Sequence, residues 1–251
     1  MKRNTLLGFA FLLSGLLTNV CAETNGLRIM SYNIRNGIGM DETADLRRTA
    51  RVIDSVGADI VAVQEVDSVT GRSQGRDILK ELGEMTGMSH RFGAAIEYDG
   101  GKYGIGILFK GDPIGYSQIA MPGREESRTM LIIEFADFVF ACTHLSLTEE
   151  DRMASIGLIR EAVAGCEKPF FIAGDMNSLP DEAFIKTLGK EFTIISPTAG
   201  ATYPADKPTD LIDYIAIENQ FAKKIRIENR RIIDEPTASD HRPICVDVEI
   251  E

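Results

Sequence analysis

"FFIAGDMNSLPD", residues 170–181, sets the reading of this chain. Four apolar residues, Phe170–Ala173, run into Gly174. A short unbroken apolar run bounded by a turn signal is the pattern of a buried strand. Asp175 and Asn177 follow at once, and then Ser-Leu-Pro, where the chain must turn. A buried strand thus ends by delivering a carboxylate and an amide side by side.

The flanks place this strand among alternating elements. Upstream, "TEEDRMASIGLIREAVAG" (148–165) reads as a helix with Thr148 as N-cap, acids in its first turn and Gly165 near its end. Downstream, "DEAFIKTLG" (181–189) reads as a short helix, and "DLIDYIAI", "KKIRIENRRII" and "RPICVDVEI" read as strands. Near the start, "LRIMSYNI" (27–34) and "DIVAVQEV" (59–66) are strand-like. Between them "DLRRTARVIDSV" (45–56) sets Leu46, Ala50, Ile53 and Val56 at helical spacing. "GRDILKELGEMTG" (75–87) is a further helix, stopped by Gly87. Strands around 103–109, 129–135 and 137–145 follow without helices between them, with a tight hairpin at Ala136-Asp137. So many strands fit two sheets packed face to face with helices on the outer faces.

The chain opens on Met1-Lys2-Arg3, then a mostly apolar stretch from Leu6 to Leu17, then Val20-Cys21-Ala22. This is the pattern of a secretory signal peptide over 1–22, cleaved after Ala22, and it places the protein outside the cytoplasm, secreted or periplasmic. A rival reading makes Cys21 a lipidated N-terminus. The apolar run is shorter than the roughly 17–25 residues of a membrane span. Residues 23–251 suit one domain, with no linker, no repeat and no low-complexity tract. Net charge is −11, and −13 once Lys2 and Arg3 are removed with a segment that carries no acid. Such a chain exerts no general pull on nucleic acid or anionic membrane, so any polyanion must be held by a few arginines or by metal ions. Cys142, Cys166 and Cys245 are an odd number without metal-ligand spacing; Cys142 and Cys245, inside apolar runs, read as buried thiols.

Polar residues recur where apolar strands end: Asn33, Gln64-Glu65, His144, Asp175 and Asn177, Asp213, and Asp240-His241. Each has a bland explanation, such as a turn cap, an ion pair or a satisfied core histidine. Yet the chain has three histidines, and two of them lie in these clusters, whereas His90 has no such company. A buried carboxylate is normally paired or bound to metal. Carboxylate and amide oxygens suit Mg²⁺, Mn²⁺ or Ca²⁺ rather than zinc. An Asp near an Asn can take a proton from a held water, and a His beside an Asp can stay charged against an anionic transition state. The combination fits metal-assisted attack of water on phosphorus.

In order, "SYNIRNG", "VQEVD", "YGIGILF", "EESRTML", "THLSL", "GDMNSLP", "IDYI" and "SDHRP" resemble the endonuclease/exonuclease/phosphatase superfamily, with its deoxyribonuclease I-like fold. The resemblance implies an α/β (α+β) four-layer α-β-β-α sandwich of two mixed sheets, with the site at one end. It further implies Glu65 as principal metal ligand, helped by Asn33 and Asp240, with Mg²⁺ the expected ion. Asp175 would orient or deprotonate the attacking water, and Asn177 would position that water or a phosphate oxygen. His241, held by Asp213, would contact phosphoryl oxygens, His144 would stabilise the transition state or help the leaving oxygen depart, and Arg128 would grip a phosphate. Arg35 stands where the family's abasic-site endonucleases carry an acid, and His144 where they carry a tyrosine. The arginine turn and Cys-Asp-Arg signature of inositol polyphosphate phosphatases are absent.

The loop "SVTGRSQGRD" (68–77) offers Arg72 and Arg76 to an anionic substrate, or simply to solvent. The sequence reading is a phosphate-ester hydrolase acting as a monomer with no stable protein partner. Nucleic acid stands slightly ahead of a phospholipid, sphingomyelin or sugar-phosphate headgroup, and a non-catalytic binding module on the same fold is the reading from another class.

Overall fold

The computed structural model describes residues 25–251; the expected leader over 1–22, with its Cys21 alternative, lies outside the described residues. Twelve strands form two six-stranded sheets. The first contains β1 (Asn25–Asn33), β2 (Ile60–Ser68), β3 (Ser89–Tyr98), β4 (Gly101–Phe109), β11 (Ile225–Ile232) and β12 (Ile244–Ile250), in the order β11-β12-β1-β2-β4-β3. The second contains β5 (Gly115–Met121), β6 (Arg128–Glu134), β7 (Val139–His144), β8 (Phe170–Asp175), β9 (Phe192–Ile194) and β10 (Asp213–Glu218), in the order β5-β6-β7-β8-β10-β9. Each sheet has one parallel pair at its centre, β1 with β2 and β7 with β8. Each parallel pair is joined through a helix, α1 (Leu46–Val56) or α3 (Glu149–Val163); α2 (Ile78–Thr86) and α4 (Ala183–Leu188) complete the α-helices among the described residues. This is the four-layer sandwich of the sequence reading.

The strand period of two builds the layers. In β2, Ile60 and Ala62 face the second sheet while Val61 and Val63 face α1 and α2. The inter-sheet core joins these to Phe140, Phe171 and Ile215 of the second sheet. A third cluster, with Ile156, Ile159, Phe184 and Tyr214, seats α3 and α4 on the outer face. Cys142 and Cys245 are buried free thiols, and Cys166 is a half-buried one.

Three strands were not read in the sequence. β3, β5 and β9 lie at sheet edges, and their largely half-exposed residues carry no apolar run. Thr148 does occupy the N-cap of α3 but makes no capping bond; its hydroxyl turns to Glu125 Oε2 at 3.3 Å. No helix among the described residues is long and apolar enough to cross a membrane.

Candidate active site

The chain topology gathers the polar strand ends. β1, β2, β7 and β8 finish at one end of the sandwich, where the antiparallel β6, β10 and β12 begin. The register sets His144 opposite Asp175 and Asp175 opposite Asp213, one residue from each of three neighbouring strands. Close approach of the strands here requires Gly174: a Cβ on it would stand 1.9 Å from the Thr143 carbonyl oxygen, and its φ is +154°. Asp175 is therefore presented by a strand junction that only glycine can form.

Glu65 reaches the same place by a different device. Strict alternation would turn it outward, under the helices, since Val63 faces outward and Gln64 inward. Between Val63 and Val66 the pairing of β2 with β4 slips by one residue, and Glu65 adopts φ +57°. A bulge of this kind re-aims side chains. Val66 returns to the outer cluster, and Glu65 joins the cleft.

The last two residues arrive on the loop before β12. Ser239, fully buried, donates to the Asn33 carbonyl at 2.7 Å and accepts from His241 N–H at 3.3 Å. It clamps "SDH" against the end of β1. Loop 202–205 closes over it: Ala205 N–H donates to the Asp240 carbonyl at 2.7 Å, and the Tyr203 ring lies 4.9 Å from the His241 ring. Ser239 and Tyr203 were not singled out in the sequence; Ser239 was within view as part of "SDHRP", whereas "ATYPAD" carries no signal.

Asp175 is the hub. Its Oδ1 accepts from Asn177 N–H at 2.9 Å, and its Oδ2 accepts from Asn33 Nδ2 at 3.1 Å. The same Oδ2 lies 3.5 Å from His144 Nε2 and 3.6 Å from His241 Nε2. Asn177, in the left-handed region at φ +47°, donates Nδ2 to the Leu145 carbonyl at 2.9 Å, which leaves its amide oxygen as an acceptor.

The two histidines are held in opposite states. Burial favours neutral His241, but the charges of Asp213 and Asp175, the 2.9 Å bond from Nδ1 to Asp213 Oδ2 and the charge of Asp240 outweigh it, and its pKa rises to about 10. Burial also acts on His144; there Asp175 opposes it too weakly, Arg128 and His241 reinforce it, and the pKa falls to about 4. Near neutrality His241 is an imidazolium and His144 a neutral imidazole. Groups pushed apart in this way divide the work of a site.

The donor set fits a divalent cation. Glu65 has a raised pKa, first from burial, against the Asn33 hydrogen bond, and then from the charges of Asp240 and Asp175. Carboxylates crowded at such cost are the environment a cation relieves. Asn33 currently offers them its Nδ2, at 3.0 Å from Glu65 Oε1, while its oxygen accepts from Arg35 N–H. Asp175, Asp213 and His241 also lie close enough to share an ion. That trio is better explained by the imidazolium between two carboxylates, because ligation needs a neutral ring nitrogen.

Arg128 lies in the cleft wall, 7% exposed, with its Nη atoms 3.5 and 3.3 Å from Glu125 and Glu126. Its Nε, fully buried, has no partner among the described residues. Arg72 and Arg76 do not extend freely toward the cleft. Arg72 makes a two-bond fork with fully buried Asp67 at 2.6 and 2.8 Å and lies over the Tyr98 ring, and Arg76 pairs with Glu81. His90 lies on edge strand β3 and is exposed. The cleft that Glu65, Arg128, His144, Asp175, Asn177, Asp240 and His241 line measures about 320 Å³. A larger cavity of about 590 Å³ beside β5 and the end of α3 holds no comparable cluster; its Lys168 and Glu134 neutralise each other at 2.6 Å.

Residues 30–241 match the endonuclease/exonuclease/phosphatase family, and the chain belongs to it. Membership supports hydrolysis of a phosphoric ester. Among solved structures, an endonuclease/exonuclease/phosphatase from Beutenbergia cavernae is 19% identical with a TM-score of 0.75, over 90% of this chain and 72% of that one. A Bacteroides thetaiotaomicron mannosyl-6-phosphatase is 16% identical with a TM-score of 0.71, over 88% and 99%. The human Nocturnin catalytic domain, with bound sulfate, is 17% identical with a TM-score of 0.66, over 90% and 94%. These likenesses are of fold. No curated protein matches the sequence.

Proposed function

We propose that this chain is a divalent-metal-dependent phosphoesterase, with Mg²⁺ as the natural ion and residues 1–22 as an export signal. The observation that supports it most is the hub at Asp175, between a neutral and a charged imidazole and beside a crowded set of oxygen donors. Glu65, Asp240 and, by turning its amide, Asn33 would hold the ion. A bound divalent ion supplies charge stabilisation at the phosphoryl oxygens.

The protein's own groups do the rest. Asp175 Oδ2 accepts the proton of the attacking water, whose other O–H the Asn177 amide oxygen can hold. As the water oxygen bonds to phosphorus, the phosphorus–alcohol oxygen bond breaks. His241 presents its charged N–H to the phosphoryl oxygens, and Asp213 fixes its ring. His144, opposite Asp175 on the neighbouring strand, offers its neutral imidazole N–H as a hydrogen bond to the leaving oxygen, which takes a proton from solvent water as it departs, while Asp175 returns its own to solvent. Arg128 offers a cation at the wall. The neighbours' names range from a mannosyl-6-phosphatase to Nocturnin, so the fold sets the chemistry at phosphorus and loops choose the alcohol.

The test is hydrolysis of p-nitrophenyl and bis(p-nitrophenyl) phosphate with Mg²⁺, beside EDTA and Asp175→Asn. Turnover that needs both the metal and Asp175 is expected, with kcat lowered about 10²–10⁴-fold in the variant. Equal turnover by Asp175→Asn would sink the mechanism.

A further inference from the structure

The cleft carries a charge balance that bears on what enters it. Four carboxylates line it, Glu65, Glu126, Asp175 and Asp240, beside a single arginine, Arg128. A divalent ion would leave no cationic excess there. The nearby arginines add little, because Arg35 forks onto Glu42 and leans on Asp240 Oδ2 at 3.8 Å, Arg72 is paired with Asp67, and Arg128 itself with Glu125 and Glu126. Three of the four carboxylates belong to the reaction centre; Glu126 does not.

Glu126 is held in place by a stiff loop. Gly123 packs so tightly that a Cβ on it would fall 2.0 Å from the Glu126 carbonyl oxygen. Next to it, Glu125 accepts from Leu147 N–H at 2.7 Å, from Ser146 Oγ at 2.9 Å and from Thr148 Oγ1 at 3.3 Å. These bonds tie loop 122–127 to the segment after β7, which carries His144. Glu126 leans one oxygen on Arg128 Nη1 at 3.3 Å, and its side chain remains 30% exposed, facing the same cleft as His144 and Tyr103. It stands by the wall where His144 offers itself to the leaving oxygen.

A carboxylate fixed there has two consequences. As an acceptor with no hydrogen to donate, it matches a hydroxyl donor on the alcohol half of the substrate. As a negative charge in a cleft with no spare cation, it opposes a second phosphate next to the scissile one. A nucleic-acid strand places a phosphate on each side of every internal phosphodiester and is normally gripped by unpaired basic residues. This cleft offers the opposite. Leu147, 66% exposed, and Tyr203, whose ring is tilted 45° against that of His241, add apolar and aromatic surface to the rim, which suits the unsubstituted face of a sugar or polyol ring.

We infer that Glu126 is a specificity-determining residue that hydrogen-bonds a hydroxyl of the leaving alcohol and excludes a neighbouring phosphate, so that the substrate class is a singly phosphorylated sugar or polyol ester. The inference rests on the hydrolase reading above and names its substrate. It reverses the order in which the sequence ranked nucleic acid and sugar phosphate, because the sequence could not show that the arginines are occupied.

The experiment compares kcat/KM in Mg²⁺ for two pairs: glucose 6-phosphate against glucose 1,6-bisphosphate, and glycerophosphoinositol against a 12-nucleotide single strand. Nitrophenyl esters with the Asp175→Asn control read the chemistry separately. Wild type is expected to hydrolyse at least one singly phosphorylated polyol ester, and to prefer it to its more highly charged counterpart by about tenfold or more. Glu126→Gln removes the charge and keeps an acceptor, so it should narrow that preference about tenfold. Glu126→Ala removes both, so it should also raise KM for the polyol ester severalfold above that of Glu126→Gln. Nitrophenyl turnover with no polyol ester hydrolysed, a strand or bisphosphate cleaved as well as its counterpart, or a preference unchanged in Glu126→Gln overturns the inference and leaves the hydrolase standing. No turnover of any ester, nitrophenyl included, overturns both.

Discussion

Asp213→Asn isolates the electrostatics of the site with little change in shape. In the native protein the charge and hydrogen bond of Asp213 are the leading opposition to burial at His241, whose pKa rises from 6.5 to about 10. A shift of that size corresponds to roughly 5 kcal/mol in favour of the imidazolium at about 1.4 kcal/mol per unit. A raised pKa gives stability that is complete below 6.5 and is lost as pH rises through about 10. Asparagine can still accept from Nδ1, but without charge. The His241 pKa should therefore fall by about two units or more, and stability at pH 7 by roughly 1.5–3 kcal/mol, the range for a hydrogen bond to a charged group. Three histidines in the chain make ring-proton NMR practical, with His241→Gln assigning the signal. Wild type should show His241 protonated past pH 9, and kcat should decline only as that proton leaves. In Asp213→Asn, loss of the proton should lower kcat at pH 8 by about twofold or more, and the loss should be recovered in part at pH 6. A wild-type His241 that titrates near 6.5, or one whose pKa is the same in the variant, would refute the reasoning.

Gly174→Ala forces a Cβ to 1.9 Å from the Thr143 carbonyl, so urea denaturation should show a loss of about 3 kcal/mol or more, or no folded protein; a loss below 1 kcal/mol would mean that the junction yields easily. His144, depressed to about 4, contributes no destabilisation above 6.5 and a growing one as pH falls from 6.5 toward 4, since only the unfolded chain then takes its proton. His144→Asn should therefore lose less stability than wild type between pH 7 and pH 5, as measured by denaturation at both. Mg²⁺ or Mn²⁺ at a hundred times its Kd should stabilise the fold by about 2.7 kcal/mol, and Glu65→Ala should abolish the rise in Tm; an equal rise in the variant would place the ion elsewhere.

Much of the fold was legible because it rests on local pattern. The unbroken run at 170–173, the helical spacing of Leu46, Ala50, Ile53 and Val56, and the glycines that end helices all report burial one element at a time. The edge strands β3, β5 and β9 escaped because an edge is only partly covered, and the chain need not be apolar there.

The sequence by itself determined which chemical groups are available: oxygen donors, two histidines in polar clusters and an arginine ahead of a strand. It did so because such residues are out of place beside apolar runs, whatever the fold. Only the tertiary structure decided how they meet. Alternation along β2 would have sent Glu65 to the wrong face, and one bulge, formed against β4, returns it. Asp175, Asp213 and His241 are far apart in sequence; strand register sets Asp175 beside Asp213, and the loop before β12, clamped by Ser239, brings His241 within a hydrogen bond or little more of both. Whether an arginine is free or spent on a carboxylate is also a question of distance. Arg72 against Asp67 and Arg128 against Glu126 answer it through pairings that a linear pattern does not encode.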